Sequence, residues 1–177
     1  MNNEVKEFIE RHIDKIEKNE FSDLFETAAT ALPMYEDVGE LSKLLEDAEI
    51  YPLDNLDCIP TAYFAGRQDI VRYMTPNRVE EIRARAFQNC SKLKDLILYR
   101  DVKWVNAVIC WNCNFEYLEI QNPYIQFATR AFNHCKIRHI KFNGTKEQFL
   151  KTNFYGELLN GAFIEYTDGS EIIKYDA

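Results

Sequence analysis

Cys110-Trp111-Asn112-Cys113 is the segment whose residue types and spacing could do chemistry. Two thiols three positions apart serve dithiol redox sites and furnish half of many zinc sites. A redox pair needs one thiol exposed at a helix amino terminus, and a zinc site needs two further ligands at a workable spacing. Neither context surrounds this pair, and the histidines His12, His134 and His139 show no metal-binding spacing. His12 is expected on the wet flank of a helix. The five cysteines, Cys58, Cys90, Cys110, Cys113 and Cys135, form an odd set too sparse for a disulfide scaffold, which favours reduced thiols and a bacterial or host cytoplasm. No Ser or Cys sits in a nucleophile motif, and six glycines form no phosphate-binding loop. Paired carboxylates such as Glu36-Asp37 and Glu46-Asp47 fall on expected helices, where they read as a solvated face. The sequence therefore predicts no enzyme, no cofactor and no metal.

Two different patterns must position whatever does the work. Up to Cys58 the chain reads as three amphipathic helices. Asn2 or Asn3 caps the first, which carries Val5, Phe8, Ile9, Ile13 and Ile16. Ser22 caps the second, with Leu24, Phe25, Ala28 and Leu32 before Pro33. The third runs through Val38, Leu41, Leu44, Leu45 and Ala48. From Ile59 onward the apolar residues take a strand period and recur at a nearly fixed interval. Phe64, Phe87, Cys110 and Phe132 stand 23, 23 and 22 residues apart. The segments after them align as Ile70-x-x-Tyr73-x-Thr75, Leu93-x-x-Leu96-x-Leu98, Phe115-x-x-Leu118-x-Ile120 and Ile137-x-x-Ile140-x-Phe142, with Thr75 the one polar departure. Cys90, Cys113 and Cys135 recur in phase, and Cys110 falls on a Phe position, so these thiols read as packing. Units that cannot bury their own apolar face stack into a parallel-stranded solenoid and need caps at both ends.

Arg85-Ala86-Phe87-Gln88-Asn89-Cys90-Ser91-Lys92-Leu93 and Arg130-Ala131-Phe132-Asn133-His134-Cys135 resemble the AF-x-x-C-x-x-L core of BspA-type leucine-rich repeats. Ile109-Cys110 departs from that core, and Phe115 comes one residue early. Phe142 to Phe149, with Tyr166 to Ser170, is similar to the terminal cap of the family. The expected fold is α/β: an acidic helical cap over 1–58, about four repeats over 59–142, and a helix plus hairpin cap over 143–177. In that cap Thr145 to Gln148 is a capping box, and Asp168-Gly169 is a hairpin turn between Ile164-Glu165-Tyr166 and Ile172-Ile173-Lys174-Tyr175. The acidic head resembles that of short repeat proteins encoded by phages and mobile elements. This resemblance implies an inhibitor of a bacterial defence complex, anti-CRISPR-like; the alternative it implies is a surface adhesin. A thiol redox or zinc protein ranks behind both.

Charge sharpens the partner. Residues 1–58 hold 16 acidic and 5 basic side chains, a net of -11, against 13 acidic and 16 basic, a net of +3, in residues 59–177; together they give the chain's -8. Such a head repels nucleic acid and suits a protein with a basic nucleic-acid-binding groove. The residues between the apolar strand positions are expected to share one open face: Arg72, Met74, Lys94, Asp95, Ile97, Tyr99, Glu116, Tyr117, Glu119, Gln121, Arg138, His139, Lys141 and Asn143. Of these Arg72, Asp95, Ile97, Tyr99, Tyr117, Glu119 and His139, with Glu10, Asp14 and Glu17 of the head, are the candidate protein-binding residues. Arg and Tyr carry most weight, because they are enriched where binding energy concentrates. A membrane is not expected as a partner, because no apolar run approaches spanning length.

Overall fold

Asn2 starts the first helix. Its side-chain oxygen accepts the Glu4 N–H at 3.0 Å, satisfying a donor that the helix cannot, and its side-chain amide reaches Asp37 of the fourth helix at 2.7 Å. The computed structural model describes residues 2–154 and 159–173. The expected first helix is broken at His12 into α1 (Asn3–Arg11) and α2 (Ile13–Glu17). His12 is half-buried there rather than on a wet flank: its ring stacks on Phe8 with centroids 4.2 Å apart, and Nδ1 lies 2.8 Å from the Phe8 carbonyl. The break turns Ile13 outward while Val5, Phe8 and Ile16 stay buried. Helix α3 (Phe21–Ala31) starts before Ser22, with Glu20 at its cap and no side-chain cap bond, so Ser22 is an exposed first-turn residue. In α4 (Tyr35–Asp47) the buried Asp37 accepts the Met34 N–H at 3.0 Å, and a 3-10 turn, Pro52–Asp54, leads out of the head.

The remainder winds as a solenoid with three ladders per coil. The first runs through β1 (Cys58–Ile59), β3 (Glu81–Ile82), β6 (Trp104–Val105) and β9 (Gln126–Phe127), all parallel, with Ile59, Ile82, Val105 and Phe127 in register and buried. The second pairs β4 (Phe87–Gln88) with β7 (Cys110–Trp111), which sets Cys110 directly beside Phe87, as the repeat register expects. The third is a six-stranded sheet of β2 (Arg72–Met74), β5 (Asp95–Leu98), β8 (Asn114–Ile120), β10 (Lys136–Phe142), β11 (Phe163–Tyr166) and β12 (Gly169–Ile172), in that spatial order. Tyr73, Leu96, Leu118, Ile140 and Ile164 align across its five parallel strands and point into the core. The early Phe115 and Ile137 lengthen β8 and β10 to seven residues each, against four in β5.

Two corners of every coil hold a left-handed residue. Ala62, Arg85, Val108 and Arg130 have φ between 54° and 64°; Gly66, Asn89, Asn112 and His134 have φ between 53° and 73°. Only Gly and, less readily, Asn and Asp enter that region cheaply, so Val108, β-branched, is strained. Ala62, Gly66, Arg85, Asn89 and Val108 each donate their N–H to the following coil, for example Arg85 N–H to Val108 O at 3.0 Å and Asn89 N–H to Trp111 O at 2.9 Å.

The cap closing the far end forms as expected in part. Thr145 and Gln148 exchange capping bonds at the start of α5 (Lys146–Leu150). Strands β11 and β12 form the antiparallel hairpin, but Tyr166 pairs with Gly169, so Thr167 and Asp168 are the turn and Gly169, at φ 152°, begins the second strand. Lys174 and Tyr175 lie outside the described residues. Strand β11 also continues the repeat sheet, pairing parallel with β10.

The acidic head docks on the opening coil through α4. Gly39 lies against Ala65 so closely that a Cβ would stand 1.9 Å from the Ala65 carbonyl oxygen. Ser42, fully buried, donates to the Tyr63 carbonyl, and Arg85 stacks over the Tyr35 ring at 4.3 Å. Arg67 ties the same junction, holding Glu46 and Asp69 at 2.6 Å each.

Candidate protein-binding surface

Strand alternation in the six-stranded sheet gives one face to the core and the other to solvent. Parallel register then makes ladders of the outward residues. Arg72, Asp95, Tyr117, His139, Phe163 and Ile172 form one. Met74, Ile97, Glu119, Lys141 and Glu165 form the next. The sequence-derived candidates Arg72, Asp95, Tyr117, Glu119 and His139 are thus brought together. Tyr99 follows β5 on the same side, half-buried, with the Arg100 guanidinium donating to its hydroxyl at 3.0 Å. Ile97 belongs to the face but presents little of it: only 5% is exposed, between Met74 and Glu119. A β-branched apolar side chain in the middle of a sheet is covered by its longer neighbours.

Several of these groups already answer one another. The Tyr117 hydroxyl donates to Glu119 at 2.8 Å, and Gln121 donates to the other Glu119 oxygen at 3.1 Å. Burial and that carboxylate both push the Tyr117 hydroxyl above its ordinary pKa, so it remains a donor. His139 lies edge-on to Tyr117 with centroids 5.2 Å apart, at the same distance from Phe163, and its Nε2 is 2.9 Å from Glu165. Phe163 and Glu165 belong to this cluster although the repeat alignment stopped at Phe142. The signal was present in Ile164-x-Tyr166, but Gly161 stands where the first apolar residue of the motif belongs. By contrast Arg72 and Asp95, neighbours in register, have no ion pair among the described residues, and Met74 is 55% exposed.

On the head, Glu10, Asp14 and Glu17 are exposed. Asp14 is 3.8 Å from Lys18, an exposed pair of little consequence, whereas Glu7, Glu10 and Glu17 have no cationic partner among the described residues. These carboxylates are far in sequence from the sheet and belong to a separate surface element.

The cysteines pack. All five are free and buried, and no group of three or more His, Cys, Asp or Glu among the described residues is placed to hold a metal ion. The Cys90 and Cys113 thiols donate to the carbonyls of Phe64 and Phe87, one coil back, at 2.9 and 3.2 Å. Burial raises Cys90 to about 12 and raises Cys110 as well, which favours their protonated forms, whereas hydrogen bonds from Cys110 and Cys135 shift Cys113 the other way.

Compared with known proteins, residues 57–177 match the profile of the BspA type leucine rich repeat region in six copies, where the apolar register alone counts about four. No curated protein and no solved structure matches the chain.

Proposed function

The chain belongs to the BspA-type leucine-rich repeat family, and from that premise we propose that it is a non-enzymatic protein-binding module that recognises a basic partner with two surfaces. The sheet face supplies direction through Arg72, Tyr99, Tyr117 and His139; the head supplies attraction. One observation carries the reading. The first two helices nearly balance their carboxylates with Lys6, Arg11, Lys15 and Lys18, yet residues 20–57 hold 11 acidic side chains against Lys43 alone. A solenoid cap requires only a polar outer face, so unbalanced charge of one sign there suits a long-range electrostatic role. A protein with a basic nucleic-acid-binding groove fits, as would the target of a phage-encoded inhibitor of a bacterial defence complex, with carboxylates standing where phosphates bind.

The test is affinity capture from the native host on the immobilised full chain at low and high salt, followed by association kinetics with the captured protein. Reversing Glu7, Glu10 and Glu17 to Lys should slow association by about tenfold or more and flatten its salt dependence. Tyr117→Ala should instead act on the dissociation rate, because buried aromatic anchors act there. Association that ignores both salt and charge reversal would refute the role of the head.

A further inference from the structure

The six-stranded sheet has an open edge at β2, and that edge borders a cavity. In the β2–β5 ladder, Val71 accepts from Asp95 N–H at 3.3 Å and Thr75 donates to Ile97 O at 3.0 Å. Residues 71, 73 and 75 therefore turn their backbone groups inward. The N–H and C=O of Arg72 and Met74 point the other way, where no described strand pairs with them. Exposed strand edges invite pairing and are normally blunted. Here the side chains next to the edge are apolar and exposed: Val71 at 54%, Met74 at 55% and, across the cavity, Tyr51 at 53%.

The cavity, about 340 Å³, lies between this edge and the end of the head. Its walls are aromatic, from Tyr51, Tyr63 and Tyr73, and its polar lining is mainly carboxylate, from Glu46, Asp54 and Asp69. Of the two arginines that line it, Arg67 is held by Glu46 and Asp69 together, while Arg72 has no ion pair among the described residues, so three carboxylates stand against two cations and leave one negative charge in excess. Asp54 has no ion pair among the described residues and is exposed. Aromatic walls with a spare carboxylate are the environment that stabilises an inserted ammonium or guanidinium.

We propose that the β2 edge is a docking site for an extended peptide segment of a partner protein, which adds to the sheet as a strand and places a lysine or arginine side chain in the Tyr51–Asp54 cavity. Main-chain bonds to Arg72 and Met74 supply register, and the cavity supplies selectivity. Charge decides against a second copy of this chain on the same edge. Pairing β2 with β2 would bring two heads of net -11 together. This site borders the sheet face at Arg72 and takes Tyr51 and Asp54 from the head, but it acts through the backbone edge and the cavity rather than through Tyr117, His139 or the charge of the head, so either reading can fail alone.

The experiment titrates the isotopically labelled full chain with two synthetic extended peptides of alternating Thr and Val, one with a central lysine and one with norleucine in its place. The lysine peptide should shift the Arg72 and Met74 amide signals and bind at least about tenfold more tightly than the norleucine peptide, as a charge-assisted contact requires. Met74→Pro removes only an outward N–H and should weaken binding by about tenfold or more. Asp54→Lys, at an exposed position, should do the same and keeps the test decisive if the proline variant does not fold. Equal affinity for both peptides, no shift at any soluble concentration, shifts centred on Tyr117 and His139, or a dimer that Met74→Pro dissolves would each overturn the proposal.

Discussion

Gly39→Ala sets two physical effects of opposite sign against each other. Position 39 lies inside α4, where alanine is better than glycine by about 0.8–1.0 kcal/mol of helix propensity. Read from propensity alone, the substitution stabilises. The structure places an added Cβ 1.9 Å from the Ala65 carbonyl oxygen, 2.9 Å from its carbon and 3.0 Å from its nitrogen, all backbone atoms that cannot rotate away. Raising the shortest of these from 1.9 Å to the 3.0 Å below which Cβ contacts do not occur needs a separation of at least 1.1 Å between α4 and the coil. That displacement strains the packing of Val38, Leu41 and Leu45, at about 1–3 kcal/mol. It also draws the Ser42 hydroxyl off the Tyr63 carbonyl, a buried acceptor whose loss costs about 1–3 kcal/mol. Net of the helix gain, the variant should lose about 1–5 kcal/mol, or roughly 2–20 °C in Tm for a chain of this length. Equilibrium urea unfolding followed by far-ultraviolet circular dichroism measures it. A variant as stable as the parent, or about 1 kcal/mol more stable, would refute the close docking of head on solenoid.

Two other substitutions probe the coils. Thr75→Val keeps shape but removes the oxygen that accepts the Tyr99 N–H at 2.8 Å, so urea unfolding should show a loss of about 1–3 kcal/mol. Val108→Asn relieves a β-branched residue at φ 54° and should raise stability by about 1 kcal/mol, read as a higher urea midpoint with an unchanged slope.

The solenoid was legible because its signal is redundant. Tyr73, Leu96, Leu118 and Ile140 were aligned from spacing alone, and they are register partners in the sheet. Thr75 broke the apolar rule for a local reason the pattern could not carry: its hydroxyl satisfies a backbone donor of the next coil. The helical head was legible in its apolar stripes but not in its breaks, since His12 interrupts a helix through a ring contact with Phe8 and a bond to its carbonyl, and no propensity encodes that. The left-handed corners were half legible. Asn89, Asn112 and Gly66 are residues that favour them, whereas Ala62, Arg85, Val108 and Arg130 are held there by the hydrogen bonds of the neighbouring coil.

The sheet face was legible for the same reason as the core, because alternation fixes both faces at once. What alternation cannot supply is how the outward groups divide among themselves. Glu119 is occupied by Tyr117 and Gln121, and His139 is held by Glu165 from a strand beyond the aligned repeats. Arg72 and Met74 stay open because β2 is last in the sheet, a fact of strand order rather than of sequence. In the proposed reading, binding shifts along the face toward β2, where unpaired backbone, exposed apolar side chains and the acidic end of the head converge. A partner that uses the sheet face near Arg72 reaches the β2 edge within a few residues of extended chain, at about 3.3 Å per residue. Simultaneous engagement would make the two surfaces one avid site, so Met74→Pro should then raise dissociation of the whole partner without changing the salt dependence set by Glu7, Glu10 and Glu17.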